Sequence, residues 1–320
     1  MRIVNLIENT EGTPGCAYAH GLSFYIETSK HKILMDFGPS EEILHNAKKL
    51  GIDLKNVDIA FLSHGHYDHA GGLLAFHRLN PEAVIYMQNT VNGAYYADEG
   101  ENAGTERYRY IGIDPEIMTL PQIRLLDGDL VIDEELSLYT LKTRSQDIPF
   151  TNADLLQKVD DRYVRDEFIH EQFLVIHSKG RHILLSGCAH NGITNILDGY
   201  QEKYHAVPDA VISGFHLMKR TEYTDDEIAE ILSMAGTLKQ YPTRFVTCHC
   251  TGIPAYKIMK NVMGAQLQYV HSGEELQLTF PEIPKKKKRR RSSYMKWHKA
   301  FAWGTVFCFV MTMVTGYRRK

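Results

Sequence analysis

Hydrophobic and polar residues alternate in short segments over the first 280 positions, and this pattern predicts many strands and few helices. Short apolar runs bounded by Gly, Asn, Asp or Ser are typical of strands. We predict strands at residues 3–7, 22–27, 32–36, 57–62, 83–87, 124–126, 130–132, 136–141, 173–177, 182–186, 211–213, 245–247 and 276–279. A long loop or mobile cap is expected at 89–114, and a polar excursion at 143–171.

Apolar residues at helical spacing predict helices among these strands. The first begins at Ser40, where acidic residues suit the positive end of a helix, and Gly51 follows its end. A second runs to about Leu79, a third is capped by Thr224, and a fourth covers residues 255–263. Hairpins come early, and strands alternate with helices early and late. We therefore predict an α+β layered fold with helices outside two packed sheets.

Composition and charge exclude several classes of protein. The 320 residues are 43% hydrophobic and 23% charged, which excludes dominant disorder and a polytopic membrane protein. Twelve of the 36 Lys and Arg residues lie in 285–320, so residues 1–284 contain the other 24 together with all 39 acidic residues and are strongly acidic. No nucleic-acid partner is expected, because phosphate affinity comes from clustered Lys and Arg. Five scattered cysteines and the lack of a secretory leader predict a cytoplasmic body without disulfides.

The C-terminal tail has a pattern of its own. Residues 285–291 are all basic, and residues 300–317 carry no charge. Since roughly 17–25 apolar residues span a bilayer, we divide the chain into a domain at 1–280, a basic linker at 281–299 and a candidate membrane-anchor helix at 300–317. The basic block and the body would then stay cytoplasmic. The alternatives are an interfacial helix, a nuclear-localisation-like run, or a foreign extension.

The segment after the strand at 57–62 carries the strongest chemical signal. Three imidazoles and one carboxylate fall within six residues, at His64, His66, Asp68 and His69. Imidazole nitrogen and carboxylate oxygen are ligands that zinc and related divalent ions prefer. Four such residues are too many for one ion that keeps a position open, so we predict two ions about 3.5–4 Å apart. Zinc is favoured, with manganese or iron as alternatives.

Further ligands must come from elsewhere, since four residues cannot complete a two-ion site. His190, His216 and His249 each follow a predicted strand end, where the functional residues of layered α/β proteins collect. We expect His190 and His249 to be ligands and leave the role of His216 open. His20 and most of the other histidines are assigned to ordinary core or surface positions.

Together these segments resemble the metallo-β-lactamase-fold superfamily. The motif at 64–69 after an apolar strand and the upstream Asp36-Phe37-Gly38 look like its signatures. The chain is also similar to a subgroup, the 7,8-dihydropterin-6-methyl-4-(β-D-ribofuranosyl)aminobenzene-5′-phosphate synthases. The segments that carry this similarity are 6–9, 19–23, 63–69, 168–172, 187–190, 214–217 and 249–252.

The resemblance implies an αββα sandwich with two metals at one edge. Carried over by position, the two ligand sets would be His64, His66 and His190 for one ion, and Asp68, His69 and His249 for the other. The chain departs from the superfamily pattern at Cys188-Ala189-His190, where a bridging Asp normally ends the strand. His170 could replace the histidine that usually precedes this hairpin. Metal binding by His170 and by Cys188 therefore stays open.

The combined pattern favours a metal-dependent hydrolase that uses a dinuclear site to activate water, with Asp68 and His216 as candidate catalytic residues. A pterin-condensing transferase is one alternative, and a non-catalytic metal-bearing binding protein is another. Arg107, Tyr108 and Arg109 are candidate substrate contacts, since Arg suits phosphate and Tyr offers a surface for stacking. The expected partner is a small molecule, phosphorylated or pterin-like.

Overall fold

Seventeen strands and six α-helices form the part of the chain described by this computed structural model, residues 1–278 and 280. The strands are β1 (Arg2–Ile7), β2 (Ser23–Glu27), β3 (Lys32–Met35), β4 (Ile59–Phe61), β5 (Val84–Gln88), β6 (Tyr95–Asp98), β7 (Tyr108–Tyr110), β8 (Ile123–Leu126), β9 (Leu130–Val131), β10 (Leu136–Tyr139), β11 (Leu155–Val159), β12 (Arg162–Arg165), β13 (Phe173–Ser178), β14 (Arg181–Leu185), β15 (Ala210–Ser213), β16 (Arg244–Thr247) and β17 (Leu267–Tyr269). The helices are α1 (Glu42–Lys49), α2 (Tyr67–Ala70), α3 (Leu73–Leu79), α4 (Ile193–Tyr204), α5 (Asp225–Leu238) and α6 (Ile253–Met263).

Most of the strands belong to two large mixed sheets. The first has the order β1-β2-β3-β4-β5-β8, antiparallel from β1 to β3 and parallel from β3 onward. The second has the order β17-β16-β15-β14-β13-β10-β9, and its strands from β14 to β17 are parallel. Parallel strands end at the same edge of a sheet, so the loops that follow them gather there.

Helices cover one face of each large sheet. On β3, Leu34 packs in a cluster with Ile43 of α1 and Phe76 of α3. Its neighbours Ile33 and Met35 point to the other face and are equally buried. A second cluster joins α4, α5 and α6 to the second sheet. Helices outside and sheets inside give the predicted αββα sandwich, and the α+β layered fold class is confirmed.

Local capping explains where the helices begin and end. The hydroxyl of Thr224 accepts a hydrogen bond from the backbone N–H of Glu227, and the Glu227 carboxylate accepts one from the backbone N–H of Thr224. Thr224 is therefore the N-cap of α5, as predicted, and the two bonds form a capping box. The helix expected from Ser40 begins two residues later, at Glu42. Gly51 lies just beyond that helix with a φ of 69°, a conformation that glycine adopts without strain.

A small antiparallel sheet, in the order β12-β11-β6-β7, lies where the sequence suggested a loop and a polar excursion. Cross-strand aromatic contacts hold it together, since the ring of Tyr108 stacks on that of Tyr163 at 3.9 Å and Tyr96 packs edge-on against Tyr110 at 5.5 Å. Tyrosine favours strands. Polar residues lie between these tyrosines, so the sequence lacks the run of apolar residues from which a strand is predicted.

The C-terminal end of the described part also differs from the prediction. β17 forms the edge of the second sheet, and the expected strand is absent from residues 276–278, while Thr279 lies outside the described residues. Just before this segment, Glu275 forms an isolated bridge to Val4. The predicted linker at 281–299 and candidate anchor at 300–317 lie outside the described residues. Within residues 1–278 and 280, no helix has the length and apolar character needed to cross a membrane.

Candidate metal centre

Loops that follow the ends of β4, β14 and β16 meet at one edge of the sandwich. They bring together all six side chains that the sequence suggested as metal ligands, although the residues are up to 185 positions apart. Each of these residues is at most 6% exposed. Their donor atoms fall into two groups of three, which we call the first triad and the second triad. The first triad is His64, His66 and His190, and the second triad is Asp68, His69 and His249.

In the first triad, ring nitrogens converge on one point. The Nε2 atoms of His64 and His190 are 3.3 Å apart, and one nitrogen of His66 lies within 4.8 Å of both. Nε2 of His66 is buried and has no hydrogen-bond partner among the described residues. Burial lowers the pKa of His66 to about 3 and lowers that of His64 and His190 as well. The three rings are therefore neutral and keep lone pairs for a ligand.

The second triad has similar spacings. Nε2 of His249 lies 3.3 Å from Nε2 of His69 and 3.3 Å from Oδ2 of Asp68, and the distance between His69 and Asp68 is 3.7 Å. Burial alone would raise the pKa of Asp68, but the neighbouring imidazoles outweigh it and hold that pKa well below its usual range. Asp68 therefore supplies a negative charge at the centre of this group.

Hydrogen bonds to the far side of two rings fix which nitrogen faces the centre. Nδ1 of His190 lies 2.8 Å from Oδ1 of Asn152, and Nδ1 of His249 lies 2.7 Å from Oδ1 of Asn9. Amide oxygens only accept, so both Nδ1 atoms carry the proton. The lone pair of each Nε2 then points into its triad, as in metal-binding histidines.

A buried carboxylate anchors the loop between β4 and α2. Asp36, which follows β3, accepts hydrogen bonds from the backbone N–H of Ser63 at 2.7 Å and from its hydroxyl at 2.8 Å. Oδ2 of Asp36 also lies 2.6 Å from Nδ1 of His69. The segment Asp36-Phe37-Gly38 thus has a physical role, since it holds both ends of the motif-bearing loop.

Two further carboxylates, not assigned from the sequence, hold the other loops. Glu171 accepts from the backbone N–H groups of His190 at 2.8 Å and Asn191 at 3.0 Å. Glu8 accepts from the N–H of His249 at 2.9 Å. Both acids are at most 2% exposed. The sequence carries no local signal for either role, because the backbone amides of these loops that the two acids accept from lie 19 or more positions away.

A cavity of about 100 Å³ opens beside both triads. His216 lines it, and neither of its shielded ring nitrogens has a hydrogen-bond partner in the described part of the chain. Burial lowers the pKa of His216 to about 3. His20, assigned no role from the sequence, also lines the cavity, with Nε2 3.4 Å from Oδ2 of Asp68. Both rings can therefore meet a ligand.

Arg109 is the only one of the three suggested substrate contacts that lines this cavity. Its guanidinium pairs with Glu99 at 2.7 Å and lies 5.7 Å from the ring centre of Tyr67. Tyr108 points to the opposite face of β7, where it stacks on Tyr163, and Arg107 is held by both carboxylate oxygens of Asp98. Alternation along β7 places Tyr108 on the opposite face from Arg109. Arg107 precedes the strand, and its bonds to Asp98, the cross-strand partner of Tyr108, hold it away from the cavity wall.

Comparison with known proteins places the chain in a family. A family model for the metallo-beta-lactamase superfamily matches residues 19–145. A curated relative from Methanocaldococcus jannaschii, named 7,8-dihydropterin-6-methyl-4-(beta-D-ribofuranosyl)-aminobenzene-5'-phosphate synthase, is 30% identical over 300 residues, 86% of this chain and 95% of its own length. The chain belongs to the metallo-beta-lactamase superfamily. The resemblance seen in the sequence is confirmed.

Two solved structures have a similar fold. Tm1679, described as a metal-dependent hydrolase of the beta-lactamase superfamily, is 29% identical with a TM-score of 0.71, covering 88% of this chain and 100% of that one. Zinc-bound PqqB from Methylobacterium extorquens matches at 15% identity with a TM-score of 0.51, over 87% and 100% of the two chains. At that identity PqqB supports the fold alone.

The donor atoms present fit a divalent metal, which the metallo-beta-lactamase fold usually binds. Zinc bound tetrahedrally at about 2.0–2.1 Å from each nitrogen places two ligand nitrogens about 3.3–3.4 Å apart. The Nε2 pairs of both triads have this spacing. The unpartnered Nε2 of His66 is a second observation that favours a bound metal, because a buried nitrogen without a hydrogen-bond partner costs free energy unless a ligand satisfies it.

His170, left open as a ligand, has both nitrogens engaged. Nδ1 lies 3.0 Å from the backbone N–H of Gly65 and accepts from it, while Nε2 lies 3.1 Å from Oδ2 of Asp166. Binding a metal would require breaking one of these contacts. His170 therefore serves to hold the loop that carries His64 and His66.

Proposed function

We propose that the protein is a metal-dependent hydrolase in which the first and second triads each hold one divalent ion, with zinc the favoured metal. The observation that carries this proposal is the convergence of six buried donor atoms from three loops. The Nε2 pair of each triad is spaced as zinc ligands are. The likeness to Tm1679, described as a metal-dependent hydrolase, supports the same reaction class.

Two bound divalent ions would lower the pKa of a water towards neutrality and stabilise developing negative charge. The side chains of this chain supply the rest. Asp68 has its second oxygen available to accept a hydrogen bond from the attacking water. His216 is neutral and faces the cavity, so it can donate a hydrogen bond from one ring nitrogen and accept one at the other. His20 contacts the same Asp68 oxygen as His249 and helps to fix its orientation.

The cavity restricts which part of a substrate reaches this point. At about 100 Å³ it is smaller than the roughly 300–1,000 Å³ of pockets that enclose a drug-sized ligand. It accommodates the reacting group, and the remainder of the substrate would lie across Arg109 and Tyr67. An anionic group on a small molecule suits Arg109, because guanidinium binds phosphate or carboxylate by paired hydrogen bonds.

Metal analysis followed by a hydrolysis panel tests the proposal. The purified chain should contain two ions and should hydrolyse at least one member of a panel of phosphodiesters, thioesters and lactones. Chelation should abolish the activity, and added zinc should restore it. The His64→Ala/His66→Ala double variant should lose one ion and the activity. Full metal content without turnover of any ester in the panel would reject the hydrolase.

A pterin-condensing transferase is the second candidate, and the 30% identical relative over 86% of the chain is the observation in its favour. The same ions would hold the diphosphate of an activated pterin while the amine nitrogen of the second substrate attacks the pterin methylene carbon, so that a C–N bond forms, the C–O bond to diphosphate breaks and the nitrogen loses a proton. A dihydropterin methyl diphosphate supplied with ribofuranosylaminobenzene 5′-phosphate tests this reaction, with diphosphate release as the readout. Absence of turnover in both assays, with metal bound, would favour a non-catalytic metal-bearing binding protein.

A further inference from the structure

A thiol lies between the two triads, where neither the hydrolase nor the transferase proposal gives it a role. Sγ of Cys188 is 3.2 Å from Nε2 of His69. It lies within 4.8 Å of a donor nitrogen of His64 and within the same distance of a donor nitrogen of His249. One of these three histidines belongs to the first triad and two belong to the second. The sulfur is therefore placed to reach both ion positions.

Cys188 is fixed in this place by the backbone. It follows β14 directly after Gly187, and a Cβ on Gly187 would lie 2.3 Å from the hydroxyl oxygen of Ser63. Only glycine allows this close approach of the loop to the 64–69 segment. Ala189 then has a φ of 57°, which turns the chain so that His190 also faces the triads. Cys188 is 3% exposed and lines the cavity.

We propose that the Cys188 thiolate is a ligand shared by both metal ions. The inference rests on the proposed two-ion site. Binding of the ions displaces the thiol proton to solvent. The sulfur then carries one negative charge, loses its hydrogen bond to His69 and forms one bond to each metal ion. The soft sulfur would favour zinc or cobalt over manganese, because thiolate suits the softer divalent ions.

A second thiol nearby provides the sharpest control. Cys250 also lines the cavity, and its Sγ lies 3.5 Å from the backbone oxygen of Cys188. Sγ of Cys250 lies within 4.8 Å of Sγ of Cys188 and of a donor nitrogen of His249. It is not part of the similar group of close donor atoms that Cys188 forms with His64 and His69. Cys250 therefore reaches the second triad only, which predicts that it cannot serve both ions.

Cobalt(II) titration of the metal-free full-length chain tests this inference. A thiolate bound to cobalt gives a near-ultraviolet charge-transfer absorption that imidazole and carboxylate ligands do not give. For the wild-type chain we expect this absorption to grow through two equivalents of cobalt. The Cys188→Asp and Cys188→Ser variants should lose it. Cys188→Asp should still bind two ions, because a carboxylate can bridge them, and Cys250→Ala should keep the absorption.

Each other outcome overturns a defined part of the argument. Two bound cobalt ions without the absorption would reject Cys188 as a ligand and leave the two-ion site intact. Absorption that saturates at one equivalent would reject the sharing. Absorption that survives Cys188→Ser and disappears in Cys250→Ala would assign the ligand to Cys250. A wild-type chain that binds no cobalt would overturn the inference together with the proposed site. Circular dichroism of each variant checks that the fold is retained.

Discussion

Oδ2 of Asp36 lies 2.6 Å from Nδ1 of His69, and both side chains are at most 1% exposed. A carboxylate accepts at this distance, so the ring carries its proton on Nδ1 and turns the lone pair of Nε2 towards the second triad. The same carboxylate holds both the N–H and the hydroxyl of Ser63, directly before His64. One residue outside the triads thus orients ligands of both.

The Asp36→Asn substitution tests this role. Asn fits the positive φ of 60° at this position, so the fold should be retained. The amide has one oxygen and one NH2 group and cannot satisfy Ser63 and His69 together. We expect metal affinity to fall about 10- to 100-fold, the usual cost of losing such an outer partner. Competition with a chromogenic chelator measures it, and Asp127→Asn at an exposed position is the control.

Replacing His64 and His66 by Ala should remove one ion and leave the fold. The first triad would retain only His190, whereas the second triad would keep all its donors. Nε2 of His66 has no hydrogen-bond partner among the residues described, so removing this nitrogen breaks no hydrogen bond. Its removal should therefore not lower the free energy of unfolding of the metal-free chain. Elemental analysis should find one ion in place of two. Metal content equal to that of wild type and of His45→Ala would contradict the triads.

The Glu171→Gln substitution addresses the loop that carries His190. Glu171 accepts the N–H groups of residues 190 and 191 and the side-chain amide of Asn191. Gln would place an NH2 group against these donors and lose the charge that strengthens the bonds. We expect the free energy of unfolding to fall by about 1.5–3 kcal/mol in denaturant titrations, as for hydrogen bonds to a charged group. The exposed Glu167→Gln, four residues away, should change it much less.

Some parts of this structure are visible in the sequence, and others depend on contacts that no local pattern contains. The strands, the α5 cap and the 64–69 motif rest on neighbouring residues, so alternation and spacing reveal them. The small sheet depends on Tyr108 meeting Tyr163, 55 positions along the chain. Glu8 and Glu171 look like isolated acids in the sequence, because nothing near them shows which backbone amides they will face.

His31, which lies away from the triads, should make the free energy of unfolding depend on pH. His31 contacts the carboxylates of Asp58, beside the first sheet, and Asp133, beside the second, with 3.0 Å to the latter. Partial burial alone would lower its pKa, but hydrogen bonds to the two carboxylates outweigh burial and raise that pKa. The raised pKa means that the folded chain binds this proton more tightly than the unfolded one. The contribution to stability is full below about pH 6.5 and is lost as pH rises through the folded pKa.

Unfolding of the wild type and the His31→Gln variant should therefore differ most near pH 5.5 and least near pH 9, by less than about 1 kcal/mol since the pair is partly exposed. The Asp58→Asn/Asp133→Asn background should abolish this pH dependence. A difference that grows towards alkaline pH would have the wrong sign for a protonated His31.

Arg109 and Arg107 offer a matched pair for substrate recognition, because they lie two residues apart and only Arg109 lines the cavity. With a substrate from the panel that carries an anionic group remote from the reacting bond, Arg109→Gln should raise KM by about 10- to 100-fold, the value of a hydrogen bond to a charged group. kcat should change little, since Arg109 would bind ground state and transition state alike. Arg107→Gln should leave KM within about twofold, because its guanidinium is occupied by Asp98 on the far side of the hairpin. An equal rise in both variants would show that the positive charge acts at long range, and raising the ionic strength would then remove it.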